Sequence, residues 1–170
     1  RLFAFLFPFL IVVTAFTILQ VYPMGERCML TVDCYHQYSP LLTEFREKLL
    51  DGKSIFYSWN TGLGSEFYAA YANYCASPLN LFVVFFSNKA VPVFVALITA
   101  VRAGLASLFM TMFLSENDSK RIDFVTIVFA ASYALCGWFI TDFWNIMWCD
   151  ALVLLPLIAL GLRKLMLEGK

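Results

Sequence analysis

The sequence predicts an all-α integral membrane protein with about four transmembrane helices and interfacial helices in a long first outer loop. Three observations predict it. Of the 170 residues, 61% are hydrophobic and only 14% are charged, against about 25% charged in an average soluble domain. Leu2 through Gly25 carries no charge, and a helix needs about 20 mostly apolar residues to cross a bilayer. Most polar residues are gathered between Pro23 and Lys89. The same composition excludes a disordered chain, a fibre and a small disulfide-stapled module. Basic and acidic residues cancel at 12 each, so no basic surface points to nucleic acid as a partner. The chain opens on Arg1 and closes on Lys170 just after an apolar run, which reads as a segment of a longer protein.

The first span covers 2–22. It is too long for a signal-peptide core, and no small-x-small cleavage pattern precedes Pro23. The outer loop covers 23–90. Within it, Ser39 can cap a helix that runs through about Leu50, with Pro40 in its first turn and Gly52 just past its end. Leu41, Leu42, Phe45, Leu49 and Leu50 share one face of that helix. Glu44, Glu47, Lys48 and Asp51 fall largely on the other, which predicts an amphipathic helix lying on the outer leaflet. Tyr57-Ser58-Trp59-Asn60-Thr61-Gly62-Leu63-Gly64-Ser65 predicts a tight turn whose exposed N–H groups can cradle an anion or a sugar. Phe67–Tyr74 reads as a second interfacial helix, and Leu79–Phe86 as an interfacial or re-entrant one.

The second span covers 91–114 and is broken only by Arg102. Ala103-Gly104 and Ala106-Ser107 are small residues that permit close helix packing. The third span covers 123–140. The fourth covers 145–165, because the apolar run Ala151–Leu162 is too short alone and must borrow Asn145–Asp150. If all four spans cross, Arg1, the pair Lys120 and Arg121, and Arg163, Lys164 and Lys170 fall on one side. The positive-inside rule makes that side cytoplasmic and the first long loop extracytoplasmic. Trp138, Trp144 and Trp148 then sit at the outer boundary, as an aromatic belt would.

The five cysteines form no CxxC pair. Cys28, Cys34 and His36 are close in sequence, but their spacing is irregular for zinc, so no metal site is expected. The cysteines read as small apolar residues and free thiols, with a Cys28–Cys34 disulfide compatible with an oxidising compartment.

Asp33 lies just beyond span one in Asp33-Cys34-Tyr35-His36-Gln37-Tyr38. A carboxylate beside these residues can act as a general base, and it can equally be a solvated loop aspartate or a cap. His36 and Gln37 are donors to a sugar or phosphate. Tyr35, Tyr57 and Trp59 can stack on a sugar ring or anchor the chain at the interface. Asn60 can bind substrate or simply shape the turn. Arg102, halfway along span two, is an intramembrane cation. It can bind a phosphate or pair with an acid from another span. Asp150 can pair with a cation, line an acceptor cavity or cap its helix.

Asp33-x-x-His36-Gln37-Tyr38-x-Pro40, Phe45-x-x-Lys48-Leu49, the string Tyr57-Ser58-Trp59-Asn60-x-Gly62-Leu63-Gly64-Ser65, and Ser77-Pro78-Leu79-Asn80 resemble the N-terminal region of the bacterial YfhO membrane proteins. Trp148-x-Asp150-x-x-x-x-Leu155-Pro156-Leu157 and Gly161-x-x-Lys164-Leu165 are also similar. The resemblance covers nearly the whole chain, and the tyrosine-to-serine string is its most specific part. It implies a GT-C-like fold and a membrane glycosyltransferase in the bacterial cell membrane. That enzyme would move a sugar from a polyprenyl-phosphate carrier to a cell-envelope polymer such as lipoteichoic acid on the outer face. By the same resemblance, Asp33 matches the acidic residue that such enzymes carry just after span one. Its implied role is to deprotonate or orient the acceptor hydroxyl. No cofactor motif is evident, although a divalent cation is compatible with the chemistry. The competing functions are a transporter or lipid flippase, which an ionisable midplane residue and a broken span would suit, and an envelope scaffold that docks partners on the outer loop.

Overall fold

The computed structural model describes residues 1–116 and 122–169, and the chain divides into two compact units. One comprises Arg1–Leu19, Thr99–Phe143 and Trp148–Lys170; the other comprises Gln20–Ile98 and Trp144–Met147. Asn117–Arg121 and Lys170 lie outside the described residues, and with them three of the cations that orient the expected topology.

The first unit is helical. Helix α1 covers Leu2–Ile18, four residues short of the expected span end. Gln20 takes a left-handed conformation (φ 57°) and Pro23 follows, so the helical hydrogen-bond ladder cannot continue. A long helix α4 (Val91–Ser115) begins in the second unit and belongs to the first from Thr99 onward. The expected third span is interrupted: α5 covers Phe124–Ala134, and α6 restarts at Gly137–Asp142. The break lies at Leu135 and Cys136, where Cys136 is extended ahead of Gly137, a residue that weakens helix propagation. Helix α7 covers Ile146–Glu168 and absorbs Asn145's downstream neighbours into one continuous element, much as the fourth span requires. Among the described residues, two helices are long and apolar enough to cross a membrane, Asn88–Ser115 and Ile146–Leu167; Leu2–Ile18 and Phe124–Ala134 are apolar but shorter.

Small residues set the packing of this unit. Ala106 of α4, Ala134 of α5 and Val153 of α7 form one buried cluster, flanked by Phe109, Tyr133 and Leu152. A Cβ on Gly104 would lie 2.7 Å from the Phe5 ring, so α1 reaches α4 only because that position has no side chain. Pro156 sits inside α7 and has no N–H for the Leu152 carbonyl one turn back. The Tyr133 hydroxyl donates to that carbonyl at 2.7 Å. A neighbouring helix thus satisfies the group that proline leaves open, the condition under which proline is tolerated in an apolar medium. Tyr133→Phe is therefore expected to lower the unfolding free energy by about 1–2 kcal/mol. Thermal denaturation in detergent measures it, and Pro156→Ala in the same background should recover most of the loss.

The second unit is built around helix α2 (Ser39–Asp51), entered through a π-helical turn, Cys34–Tyr38. Because the helical path already runs from Cys34, Ser39 is not a cap. Its carbonyl instead accepts from Thr43 Oγ1 at 2.9 Å. Gly52 ends the helix in the left-handed conformation (φ 63°), as expected from its position. The face that packs inward carries Leu42, Phe45 and Lys48, while Leu49 and Leu50 are exposed. Lys48 was expected on the polar face and is instead buried; the physical reason is the set of acceptors described below. A two-stranded hairpin follows, β1 (Tyr57–Ser58) antiparallel to β2 (Ser65–Glu66). A short helix α3 (Tyr68–Ala70), a π-helical turn (Tyr71–Cys75) and a 3-10 stretch (Pro78–Phe85) complete the unit. These agree with the helical readings of Phe67–Tyr74 and Leu79–Phe86. All five cysteines are free thiols. Burial pushes the Cys75 thiol up to about 12, which leaves it unreactive at neutral pH.

Candidate functional site

Helix α2 is the hub on which the polar residues of the second unit are hung. Phe45 packs on Tyr71 at 5.2 Å between ring centroids, and the Lys48 ammonium lies 5.1 Å from the Phe67 ring centre. The same ammonium donates to the Ser54 carbonyl at 3.0 Å and the Tyr57 carbonyl at 2.7 Å, and pairs with Glu44 Oε1 at 3.3 Å. An ammonium has three donors, and here each has an acceptor. That is why a lysine can be buried at this position. Glu44 in turn accepts from Ser58 Oγ at 2.5 Å and from Asn60 Nδ2 at 2.7 Å. The hairpin is thus tied to α2 by one carboxylate and one ammonium. Nearby, Arg46 Nη1 donates to Asn88 Oδ1 at 2.9 Å and Asn88 Nδ2 donates to Glu47 Oε1 at 2.7 Å.

Burial would raise the Glu44 carboxyl, but the hydrogen bonds from Asn60, Ser58 and Lys48 outweigh it and hold the group below its ordinary value. A depressed folded-state value contributes stability that is present above the unfolded glutamate range and is lost as pH falls through the folded value. Acidification is therefore expected to release the hairpin from α2. Tryptophan fluorescence against pH, with Trp59→Phe subtracting the other tryptophans, should show a transition below the ordinary glutamate range. Glu44→Gln should abolish it, and a transition unaltered by that variant would refute the assignment.

The hairpin loop presents aromatic rings. Gly62, Leu63 and Gly64 all have positive φ (55°, 63° and 103°), which turns the chain back within six residues. A Cβ on Gly64 would lie 2.5 Å from the Tyr57 hydroxyl and 2.9 Å from the Trp59 ring. The two rings therefore close down on bare backbone, edge to face with centroids 5.2 Å apart. Trp59 nevertheless remains 78% exposed.

Between α2 and this loop lies a hollow of about 680 Å³. Tyr35, His36, Ser39, Thr43, Glu44, Glu47, Asn60 and Thr61 line it. A second hollow of about 310 Å³ is lined by Tyr57, Trp59, Asn60, Glu44, Glu47 and Lys53, among others. The π-helical turn aims Tyr35 and His36 outward and buries Cys34 and Tyr38. Tyr38 donates to Asn145 Oδ1 at 3.2 Å, and burial raises its hydroxyl above the ordinary tyrosine value.

Of the expected site residues, the structure brings His36, Tyr57, Trp59 and Asn60 to these two hollows. Asp33 and Gln37, both half-buried, line neither. The Asp33 carboxylate has no hydrogen-bond or ion-pair partner among the described residues, whereas those of Glu44 and Glu47 are engaged. Arg102 and Asp150 belong to the other unit and pair with each other, Nε to Oδ1 at 2.8 Å. Glu44, Lys48 and Ser58 are the polar residues that sequence reasoning missed. Their signal was present as a glutamate and a lysine one helical turn apart on α2, but that pattern usually marks a solvated pair. No group of three or more potential metal ligands comes together among the described residues.

The family described as bacterial membrane protein YfhO matches residues 4–170. No curated protein and no solved structure matches the chain.

Proposed function

Since the chain belongs to the YfhO family of bacterial membrane proteins, we propose that it serves a membrane glycosyltransferase of the GT-C-like type. In this reading a sugar passes from a polyprenyl-phosphate carrier to a cell-envelope polymer such as lipoteichoic acid on the outer face. The observation that carries the reading is the polar, aromatic-flanked hollow of the second unit, which is lined by His36, Glu44, Asn60 and Thr61 and holds concave space for a polyhydroxylated ligand.

The chemistry asks little else of the chain. With Asp33 as the base, the reacting atoms lie outside the two hollows, which that residue does not line, and the hollow holds a more distant part of the substrate: the acceptor oxygen attacks the anomeric carbon, and Asp33 takes its proton. The carbon–oxygen bond to the carrier breaks, and its electron pair leaves with polyprenyl phosphate. A carboxylate with no hydrogen-bond or ion-pair partner among the described residues is suited to that proton transfer. His36 and Gln37 supply donors for the sugar or the phosphate. The test is transfer of label from a polyprenyl-phosphate sugar to envelope polymer, by membranes with and without the intact protein. Transfer only where the protein is present supports the reading; equal transfer overturns it.

The interrupted α5–α6 segment favours a second reading, a transporter, since transporters place broken helices beside their substrates. Protein-dependent movement of a lipid-linked sugar across vesicles, without transfer, would support it.

A further inference from the structure

An apolar cavity of about 280 Å³ lies within the first unit, between α1, α4 and the break that separates α5 from α6. Its floor is buried and comes from Val12 and Phe16 of α1, Thr99 of α4 and Phe139 of α6. Its rim is exposed and equally apolar, with Ile11 and Leu19 from the α1 segment and Ile140 from α6. In a membrane protein, apolar side chains exposed on such helices face lipid tails, which are as apolar as they are. We propose that this cavity holds one acyl chain of a membrane lipid as a resident ligand.

The walls define the class. Among the lining residues, Thr99 alone carries a polar side chain. The helix break adds no free donor at the positions beside it. The amides of Leu135, Cys136 and Ile140 donate to the carbonyls of Ala131, Tyr133 and Cys136. A buried water needs about two to four polar partners, more than these walls supply. An apolar cavity of roughly 150 Å³ stays dry and admits benzene; this one is larger and takes a longer run of hydrocarbon. The driving force is not exclusion of water, since lipid tails are as apolar as leucine. It is the dispersion contact that an unfilled cavity forfeits along its walls. Phe16, Phe139 and Phe143 give aromatic walls that accept hydrocarbon and select no head group. With no charge on the walls to favour a scarcer molecule, mass action assigns the cavity to the hydrocarbon in greatest supply, and in a bilayer that is the acyl chain.

Binding here needs neither sugar donor nor acceptor, so it stands or falls apart from the glycosyltransferase reading. The intact protein is purified in maltoside detergent, supplied with palmitoyl-oleoyl-phosphatidylglycerol, and measured by native mass spectrometry and thermal denaturation. The expected result is one retained phospholipid per chain and a higher melting temperature on adding it. Ala15 lines the cavity, and Ala15→Phe fills it from α1. Retention should then fall about tenfold, and the lipid should no longer raise the melting temperature. A ring inside the cavity supplies the contacts the lipid gave, so Ala15→Phe should melt in detergent alone at or above wild type, which separates filling from misfolding. Ile140→Trp, on the exposed rim, narrows the mouth without entering the packed interior and should also weaken retention, which keeps the test decisive where Ala15→Phe does not fold. Leu10→Phe, on an exposed part of α1 outside the cavity, should leave retention unchanged. No retained phospholipid, retention indifferent to both cavity variants, or equal loss with Leu10→Phe overturns the proposal. Preference for a polyprenyl lipid when both are supplied overturns it too, as does a dimer that excludes lipid and so gives the cavity to a second copy.

Discussion

Asp33→Asn in the intact protein is expected to lower the rate of sugar transfer by about 10²–10⁴-fold, the usual contribution of a positioned general base, while leaving membrane insertion and melting unchanged. The second half of that expectation follows from the surroundings of the residue. Asp33 is half-buried and has no hydrogen-bond or ion-pair partner among the described residues, so the amide replaces the carboxylate without orphaning a neighbour. It sits one residue past Val32, which takes a left-handed backbone (φ 46°) unusual for a branched side chain. Strain of that kind gathers where a fold positions functional groups. Asp33→Glu should retain a measurable fraction of the rate, because the base survives with a displaced oxygen. The assay is transfer of label from a polyprenyl-phosphate sugar in membranes lacking the native protein. Equal rates for wild type and Asp33→Asn would remove this carboxylate from the chemistry.

The second large effect concerns stability. Arg102 is 1% exposed on its side chain and pairs with Asp150 at 2.8 Å. Removing Asp150 leaves the buried Arg102 charge without this partner and is expected to destabilise the protein by about 3–5 kcal/mol, whereas removing Arg102 leaves a carboxylate that is a quarter exposed and costs less. Replacing both with apolar residues of similar size should recover most of that loss, since the desolvation of two ions disappears together with their attraction. Melting of Arg102→Leu, Asp150→Leu and the double variant in detergent decides it. A double variant no better than the weaker single one would show that the arginine serves something other than this pair.

The comparison of Lys48 with Gly52 shows how far local sequence carries. Gly52 was readable as a helix end because the demand is local: the chain there needs a left-handed residue, and glycine adopts it without cost. Lys48 was not readable, because its burial depends on acceptors contributed by Ser54, Tyr57 and Glu44 in a particular arrangement. The hairpin string was legible as a turn. That its serine and asparagine tie the turn to α2 through Glu44 was not, because the helix and the hairpin are separated by an irregular linker. Similarly, Arg102 was legible as an intramembrane cation with pairing among its roles, but its partner lies 48 residues away.

By itself, the sequence determined that this is a helical membrane protein, with long apolar stretches over 91–114 and 145–165, which the structure forms as helices Val91–Ser115 and Ile146–Glu168, and its polar chemistry collected between the first helix and residue 90. Composition, run length and cap chemistry decide those features, and each acts within a few turns of the chain. Tertiary structure decided that Arg102 meets Asp150, that Tyr133 answers the carbonyl Pro156 leaves open, and that Glu44 ties Ser58 and Asn60 of the hairpin to α2. Burial permits a polar group only where a distant segment supplies its partner, and the identity of that segment is a property of the packed fold rather than of any local pattern.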